Sequence, residues 1–344
     1  MNYRRMGNSG LMVSEICFGA MTFTGSDGWT HLGELHQKDA DELVKSALDN
    51  GVNFFDTADF YSSGKSEEML GKALGNKRKD AIICTKFGFE MSDELHGRGL
   101  SRKRVIDACE ASLKRLQTGY IDLYLIHVLD FVTPLEETLD ALTQLVADGK
   151  VRYIGCSNFP AWVLAKSYYI AEKNNYQKLI AHQASYNILR RDLELDIIPA
   201  SLEYGIGTMV WGPLQGGILT GKYRDKNNWP NDTRMKNPGD HNPYNIEQGE
   251  KILDELEKIA KIRNVTVTQV SLNYLLRKKG IATVVIGATN EKQLKENIAA
   301  SNFKLNEEEM EKLNELTEPT DYYPHWYFKI YRKETYSSNY KNNQ

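Results

Sequence analysis

The stretch NFFDTADFYSSGKSEEMLG, residues 53–71, joins an apolar run to a carboxylate, a phenol and a helix signal. The run is short and apolar, which is typical of a buried strand. It ends at Asp56, and Tyr61 follows five residues later in the predicted loop. Ser66 is the predicted N-cap of the helix that comes next. A turn alone needs neither a carboxylate nor a phenol, so this loop is a candidate functional site.

The same pattern of a strand followed by a helix repeats along the chain. Eight runs predict strands, namely EICFGAM, VNFFDT, AIICTKF, IDLYLIH, RYIGCSN, LIAHQASY, GIGTMVW and ATVVIGA. Amphipathic stretches lie between them, and this alternation is typical of a parallel sheet with crossover helices. A count of eight favours a closed (β/α)8 barrel, the TIM barrel. An open doubly wound sheet is the alternative, but no G-x-G-x-x-G follows the first strand.

The remaining segments complete a single predicted barrel domain over residues 1–344. Residues 1–14 contain a turn signal and predict a hairpin that covers the bottom of the barrel. Residues 212–245 are rich in Gly, Pro, Asn and Asp and predict a long loop at the C-terminal face; such loops are usually functional or disordered. Residues 320–344 are rich in aromatic side chains, and we expect no regular structure there. This tail covers the site, packs on the side of the barrel or binds a second subunit.

The composition is that of an ordinary globular protein, with 41% hydrophobic and 26% charged residues. A formal net charge of −3 gives no indication of a nucleic-acid partner or an anionic membrane surface. The N-terminus lacks the apolar core of a secretory signal and no apolar run could span a bilayer, so a cytoplasmic location is predicted.

The cysteines and histidines indicate neither a disulfide framework nor a metal site. Four cysteines are too few for a disulfide framework in a chain of 344 residues. Cys17, Cys84 and Cys156 lie within apolar runs, and we interpret them as buried free thiols in a reducing compartment. No group of Cys and His residues has the spacing of a metal site, so no metal is expected.

Four polar side chains stand at or just after successive strand ends: Asp56, Tyr61, Lys86 and His127. Strand ends of a (β/α)8 barrel converge on the face that carries the active site. A phenol has a pKa of about 10, and a nearby ammonium such as that of Lys86 lowers it. Asp56 supplies the counter-charge for a buried Lys86. Each residue alone has an ordinary structural explanation, but together they favour polarisation of a carbonyl while a hydride is delivered.

This set of four residues resembles the catalytic tetrad of the aldo-keto reductase superfamily, which is Asp, Tyr, Lys and His in that chain order. Signatures like those of the family cover nearly the whole chain, namely NFFDTADFYSSGKSEEMLGKAL, GLSRKRVIDACEASLKRL, YIDLYLIH, TPLEETLDAL, GKVRYIGCSNF and PLQGGILTGKY. Six signatures in the same order are more specific than any one of them. The chain most resembles the bacterial aldo/keto reductases and the potassium-channel β-subunit branch.

The resemblance implies a role for each of the four residues. Tyr61 would donate the proton in reduction and accept it in oxidation, while Lys86 tunes the pKa of the phenol. Asp56 would support Lys86, and His127 would orient the substrate carbonyl. The substrate would be a small aldehyde, ketone or sugar-like metabolite, or the matching alcohol, and a nicotinamide would carry the hydride.

The resemblance also implies how the cofactor is held. Ser157, Asn158 and Gln183 would hydrogen-bond the carboxamide, and Trp211 would stack on the nicotinamide ring. The other implied contacts are Pro213, Leu214, Gly216, Lys222 and Arg234 in the long loop, which would cover the cofactor, and Gly287, Thr289, Gln293, Glu296 and Asn297 near the start of the last barrel helix. NADP(H) is favoured over NAD(H). Two departures from the family are Gly212, where many relatives have Ser, and Thr289, where many have an Arg for the 2′-phosphate.

Several alternatives stay open. Met21, Phe23 and Trp29 either line the substrate pocket or simply pack. The chain could be a cofactor-bound redox-sensing or regulatory subunit with little turnover, as in the channel-subunit relatives. A Schiff-base barrel such as an aldolase would instead use Lys86 as a nucleophile. The sequence leaves the substrate, the reaction direction and the oligomeric state open, and a homo-oligomer is one of the possibilities.

Overall fold

Eight parallel strands close into a barrel in the computed structural model of the chain, which describes residues 1–23, 35–224 and 246–335. The barrel strands are β3 (Ile16–Gly19), β4 (Phe54–Asp56), β5 (Ile82–Phe87), β6 (Ile121–Ile126), β7 (Val151–Ser157), β8 (Leu179–Ser185), β9 (Gly207–Trp211) and β10 (Ile281–Ile286). Each strand pairs with the next, and β10 also pairs with β3, which closes the sheet. The predicted (β/α)8 barrel and its eight strands are confirmed, and the open sheet is excluded.

Helices surround the barrel. Those in the described part of the chain are α1 (Gln37–Asp49), α2 (Lys65–Leu74), α3 (Arg102–Leu116), α4 (Leu135–Ala147), α5 (Ala161–Asn174), α6 (Ile197–Glu203), α7 (Ile246–Arg263), α8 (Val267–Leu276), α9 (Glu291–Ile298), α10 (Glu307–Leu316) and α11 (His325–Thr335). Local sequence explains several boundaries. The Ser101 hydroxyl caps the start of α3 by accepting from the Arg104 amide, and Gly51, with φ of 81°, follows the end of α1.

The start of α2 differs from the prediction. The helix begins at Lys65 with Gly64 as its N-cap, so the prediction of Ser66 as the cap is wrong. The Ser66 hydroxyl instead donates to the carbonyl of Ala20 at 2.7 Å. A contact with another barrel loop therefore takes the place of the expected local cap.

Two further helices depart from the sequence predictions. Helix α8 is absent from them, although Thr266 and Gln269 form a capping box at its start. The expectation of an irregular tail over residues 320–344 is wrong for His325–Thr335, which form α11, whereas residues 336–344 lie outside the described ranges. This helix is held near its start by the Tyr322 hydroxyl, which donates to Asp196 at 3.0 Å.

The predicted N-terminal hairpin closes the bottom of the barrel. It consists of β1 (Tyr3–Arg5) and β2 (Met12–Ser14), which pair antiparallel. Met6 and Val13 are fully buried and pack against side chains of the barrel interior. The Asn8 amide donates to the carbonyl of Gly205, just before β9. The opposite, C-terminal end of the strands is therefore the end available for a site.

All four cysteines are buried free thiols, as predicted for Cys17, Cys84 and Cys156. Among the helices of the described ranges, none is both long enough and apolar enough to cross a membrane.

Candidate active site

The C-terminal ends of three neighbouring strands bring the four predicted catalytic residues together. Asp56 is the last residue of β4, Lys86 lies near the end of β5, and His127 directly follows β6. Tyr61 begins a short 3-10 turn, Tyr61–Gly64, in the loop between β4 and α2. Residues that are far apart in the sequence thus share one end of the barrel.

Lys86 is the centre of this group. Its Nζ donates to Asp56 Oδ2 at 2.8 Å, to the carbonyl of Thr57 at 2.8 Å and to the Tyr61 hydroxyl at 3.2 Å. An ammonium has three protons, so all three are used. Lys86 is 0% exposed and Asp56 3%. The arrangement is a continuous chain of carboxylate, ammonium and phenol.

The Lys86 ammonium keeps its charge although it is buried. Burial disfavours the charged form, but Asp56 and the nearby Tyr61 outweigh this effect and hold the pKa of Lys86 above its ordinary value. Lys86 therefore acts as a fixed positive charge next to the Tyr61 hydroxyl.

The pKa of Tyr61 moves in the direction opposite to the sequence expectation. Desolvation of the phenol raises its pKa above the ordinary value, and Lys86 lowers it by a smaller amount. Asp56 adds to the rise. The sequence shows that a lysine is present but does not show how deeply the hydroxyl is desolvated. Tyr61 therefore holds its proton at neutral pH, which is the state that a proton donor needs.

His127 is neutral at physiological pH. Burial, with a smaller contribution from Lys86, lowers the pKa of the imidazole well below its ordinary value. Its Nδ1 atom is buried and has no hydrogen-bond partner within the described residues. The ring packs edge-on against Tyr61, with a centroid distance of 5.8 Å. A neutral imidazole in this position can donate one hydrogen bond to a substrate oxygen.

Two aromatic side chains near His127 were not predicted from the sequence. Phe89 packs against the histidine, and Phe60 packs against Phe89. The ring of Phe89 lies 4.6 Å from that of His127, and the ring of Phe60 lies 5.0 Å from that of Phe89. Both are half-buried. Their positions in the sequence could have indicated them as site residues. Phe60 directly precedes Tyr61, and Phe89 follows β5 in a loop at the C-terminal end of the barrel. They give the site an apolar wall.

The predicted carboxamide-binding residues form a second connected group at the adjacent strand ends. The Trp211 Nε1 atom donates to Asn158 Oδ1 at 3.0 Å, and Asn158 Nδ2 donates to Ser157 Oγ at 3.0 Å. Gln183 Nε2 donates to Asp56 Oδ1 at 2.7 Å. The Gln183 carbonyl accepts from Ser157 Oγ at 3.0 Å, so Gln183 joins the two groups. Trp211 is 41% exposed, so part of its ring is accessible from solvent.

The structure describes residues 212–224 of the predicted loop after β9. Pro213 is buried, Leu214 is half-buried, and Gly216 has φ of 64°, in the region that favours glycine. Lys222 is exposed, and its Nζ lies 4.9 Å from the centroid of the neighbouring Tyr223 ring. Arg234 lies outside the described residues, as does the part of the predicted loop from 225 to 245.

The predicted anion site lies where β10 leads into α9. The amide and hydroxyl of Thr289 both donate to Gln293 Oε1 at 2.9 Å, so the Gln293 side chain folds back over the helix start. Asn290 caps the helix by accepting from the Gln293 amide at 3.0 Å. Asn297 Nδ2 donates to the carbonyl of Gly287 at 3.2 Å. Glu296 is half-buried on the same helix.

The three residues predicted either to line the substrate pocket or to pack differ in burial and in position. Phe23 is fully buried and packs edge-on against Phe18 at 5.8 Å between ring centroids, so it belongs to the core. Met21 is half-buried in the 3-10 turn after β3. Trp29 lies outside the described residues.

The side chains at this end of the barrel fit a nicotinamide cofactor. Amide and hydroxyl groups at Ser157, Asn158 and Gln183 match the donors and acceptors of a carboxamide. The exposed ring of Trp211 offers a plane for stacking. Among the described residues, the Nδ1 atom of His127 has no hydrogen-bond partner, so this polar group could bond to a bound molecule.

The chain matches known proteins along most of its length. The Aldo/keto reductase family profile matches residues 15–318. A putative voltage-gated potassium channel subunit beta of Schizosaccharomyces pombe is 37% identical over 326 residues, 91% of this chain and 92% of that protein. The uncharacterized oxidoreductase YrpG of Bacillus subtilis is 35% identical, covering 92% and 96%. Versiconal hemiacetal acetate reductase of Aspergillus parasiticus is 32% identical, covering 94% and 99%. With this barrel and these matches, the chain belongs to the aldo/keto reductase family of oxidoreductases.

Proposed function

We propose that the chain reduces the carbonyl of a small aldehyde, ketone or sugar-like metabolite with NADP(H), and that Tyr61 is the general acid. The observation that carries this proposal is the hydrogen-bonded chain from Asp56 through Lys86 to the Tyr61 hydroxyl, at 2.8 and 3.2 Å. This arrangement places the buried Lys86 ammonium beside the Tyr61 hydroxyl, the group that gives up the proton in the proposed reaction. Membership of the family supports the oxidoreductase chemistry.

Each residue of the chain has a defined task in this reaction. When bound, the nicotinamide supplies the hydride. Neutral His127 donates a hydrogen bond that orients the carbonyl oxygen, and the Tyr61 hydroxyl transfers its proton to that oxygen as negative charge develops there. The Lys86 ammonium, 3.2 Å away, stabilises the phenolate that remains. Asp56 keeps Lys86 positioned and charged.

The protonation state of Tyr61 supports reduction as the direction favoured at neutral pH. Desolvation raises the pKa of the phenol, so the proton needed for reduction is in place. Oxidation of an alcohol would need the phenolate as its base, and that form is scarce until the pH approaches this raised pKa.

A Schiff-base reaction at Lys86 fits the site less well. An amine must be uncharged to attack a carbonyl. Asp56 holds the pKa of Lys86 above its ordinary value although burial opposes this, and all three ammonium protons are used in hydrogen bonds. The lysine is therefore suited to act as a fixed charge.

NADP(H) is proposed over NAD(H) on the basis of the exposed Lys222 and the helix start at α9. Thr289 supplies no positive charge there. The test is the dissociation constant of NADPH and of NADH for the wild type and for Lys222→Ala. If Lys222 contacts the 2′-phosphate, Lys222→Ala is expected to bind NADPH more weakly and NADH as tightly as the wild type does. Equal weakening of both cofactors would argue against this contact. Lys38→Ala, at an exposed lysine of α1, is the control.

The activity itself is tested with a panel of carbonyl compounds and alcohols, each with NADPH and with NADH, followed by absorbance of the reduced nicotinamide. Tyr61→Phe is expected to lower turnover by roughly 10²- to 10⁴-fold, as loss of a general acid does, with cofactor binding retained. Tyr169→Phe, at an exposed tyrosine of α5, is the matched control. Full turnover by Tyr61→Phe would rule out the proposed role.

A second candidate is a cofactor-bound regulatory subunit with little turnover. The relative that favours it is the Schizosaccharomyces pombe protein named as a putative potassium channel subunit beta. The two candidates differ in their kinetics. A regulatory subunit would bind NADPH tightly and oxidise it once far faster than it turns over, whereas an enzyme would release the oxidised cofactor and continue.

A further inference from the structure

Two arginines of α3 reach the loop that carries Tyr61. Arg104 and Arg115 are about three helical turns apart, so their side chains leave the same face of the helix. Arg104 Nη2 donates to Asp59 Oδ2 at 2.8 Å, and Arg115 Nε donates to Glu67 Oε2 at 2.6 Å. Asp59 precedes Tyr61 in the chain and Glu67 follows it. Helix α3 is therefore bonded on both sides of the phenol, to the loop before it at Asp59 and to the first turn of α2 after it at Glu67.

Both carboxylates are completely enclosed. Asp59 is 1% exposed and Glu67 is 0% exposed. Fully buried carboxylates are rare in proteins unless they are paired. A buried ion pair contributes little net stability compared with apolar side chains of the same volume, because desolvation offsets the attraction. Two such pairs on either side of one tyrosine therefore suggest a role in geometry.

The same two residues also fix the loop relative to Lys86. Glu67 Oε1 accepts from the Thr85 hydroxyl at 2.5 Å, and Thr85 directly precedes Lys86 on β5. The Asp59 amide donates to the carbonyl of Lys86 at 3.0 Å. The strand that carries the ammonium and the loop that carries the phenol are thus joined by the residues that α3 holds.

The turn between Asp59 and Glu67 has a strained backbone. Ser62 and Ser63 have φ of 47° and 52°, and Gly64 has φ of 90°, so three consecutive residues are left-handed. Non-glycine residues persist in this region only where the surroundings hold them. Arg115 packs directly on the turn, since a Cβ atom added at Gly64 would lie 2.6 Å from Arg115 Cδ. The contacts from α3 therefore oppose relaxation of the segment that follows Tyr61.

We propose that Arg104 and Arg115, through Asp59 and Glu67, are positioning residues that hold the Tyr61 hydroxyl against the Lys86 ammonium. This inference rests on the proposed function, in which Tyr61 is the proton donor. Without the contacts from Arg104 and Arg115, the strained turn relaxes and the Tyr61 hydroxyl moves away from its position 3.2 Å from Lys86 Nζ. A displacement of about 1 Å at a reacting group can cost roughly 10²-fold in rate.

The test combines kinetics with hydrogen exchange. Arg104→Met and Arg115→Met are expected to lower kcat by roughly 10- to 100-fold. The cofactor dissociation constant is expected to stay within about threefold, since the side-chain bonds of both arginines go to Asp59, Glu67 and Ser112 and not to any described residue proposed to contact the cofactor. Arg115→Lys keeps the charge and is expected to recover part of the lost kcat. Amide exchange of the peptide covering residues 57–67 is expected to speed up in the Met variants.

The control and a milder variant keep the test decisive. Arg102→Met lies on the same helix, and Arg102 pairs with Asp140 at the exposed surface, so it is expected to leave kcat and the exchange of residues 57–67 unchanged. Glu67→Gln keeps one acceptor oxygen for Thr85 but places an amide NH2 opposite the Arg115 Nε–H donor, so the bond from Arg115 is lost. This variant serves where a Met variant does not fold, and it is expected to lower kcat and to speed up exchange of residues 57–67 in the same way.

The outcomes separate this inference from the proposed function. Folded Arg104→Met and Arg115→Met proteins with wild-type kcat and wild-type exchange would overturn the positioning role. Full turnover by Tyr61→Phe would instead overturn the proposed function. In that case hydrogen exchange alone decides whether α3 holds the loop.

Discussion

Gln183 Nε2 donates a 2.7 Å hydrogen bond to Asp56 Oδ1, while Lys86 Nζ bonds the other oxygen of the same carboxylate at 2.8 Å. A residue proposed to contact the cofactor is thus bonded directly to the carboxylate that pairs with Lys86. If the proposed function holds, Gln183 takes part in both cofactor binding and proton transfer, and both are expected to change when this residue is replaced.

Gln183→Leu is expected to lower kcat and to weaken cofactor binding at the same time. Loss of a hydrogen bond to a charged group costs about 1.5–3 kcal/mol, or roughly 10- to 100-fold in rate if the transition state bears the whole loss. The measurements are kcat and the cofactor dissociation constant. Gln144→Leu is the control, because Gln144 makes the same bond to Asp148 at 2.7 Å on the exposed surface. A weaker cofactor complex with an unchanged kcat would show that the bond to Asp56 is irrelevant to catalysis.

The pH dependence of reduction is expected to be flat over the neutral range. Desolvation raises the pKa of Tyr61, so the acid stays protonated and activity falls only well above neutrality. Burial and Lys86 lower the pKa of His127 well below its ordinary value of 6.5, so this imidazole does not ionise in the neutral range. The measurement is kcat/KM for carbonyl reduction between pH 5.5 and pH 10.

The histidine part of this prediction has its own control. His127→Asn keeps a hydrogen-bond donor but cannot titrate, so it is expected to lower the rate without changing the shape of the profile. An inflection near pH 6.5 in the wild type that disappears in His127→Asn would contradict the assignment of a neutral imidazole.

The positions of the four predicted catalytic residues are the part of the site that the sequence indicates most directly. Asp56, Lys86 and His127 each stand at the end of a strand that its apolar run makes recognisable. The geometry of a parallel barrel then brings the strand ends together without any knowledge of side-chain packing. Tyr61 is included because it follows so closely after one of these ends.

Local propensity explains why α8 escapes recognition. Val265, Thr266, Val267 and Thr268 are β-branched in succession, which is typical of a strand. The capping box between Thr266 and Gln269 and burial of the helix among its neighbours override that preference.

Electrostatic properties depend on depth and on distant partners, neither of which the sequence displays. The pairing of Arg104 with Asp59 joins residues from a helix and a loop, and nothing in either local stretch indicates the other. The raised pKa of Tyr61 follows mainly from desolvation, which is known only once the fold is known. For this reason the sequence predicts that Asp56, Tyr61, Lys86 and His127 lie together, but not the direction in which the pKa of Tyr61 shifts.

The close contact of α2 with α3 is expected to tolerate no side chain at Gly71. A Cβ atom there would lie 2.5 Å from the carbonyl oxygen of Leu116. Alanine gains about 1 kcal/mol of helix propensity, but overpacking costs about 1–3 kcal/mol. Gly71→Ala is therefore expected to lower the urea midpoint. Gly119→Ala, where no heavy atom lies within 4 Å of the added Cβ, is expected to change stability by less than about 0.5 kcal/mol. Equal midpoints for the two variants would contradict the steric argument.

Asp59 is expected to make stability fall as the pH rises toward neutrality. Burial and the nearby Glu67 raise the pKa of this carboxyl to about 7, against the lowering by Arg104 and Arg115. One carboxyl oxygen can carry the proton while Oδ2 still accepts from Arg104. Between 3.8 and about 7 only the folded state holds this proton, so its contribution is complete below 3.8 and is lost by about pH 7.

The measurement is the unfolding free energy of the wild type minus that of Asp59→Asn, taken from urea unfolding between pH 5 and pH 8. Two pKa units correspond to about 3 kcal/mol, so the difference is expected to fall by an amount of that order as the pH rises. Taking the difference cancels the titration of other carboxyls. Asp140→Asn, at a half-buried carboxyl paired with Arg102, is the matched control. A difference for Asp59→Asn that stays constant or grows with pH would mean that Arg104 keeps this carboxyl ionised.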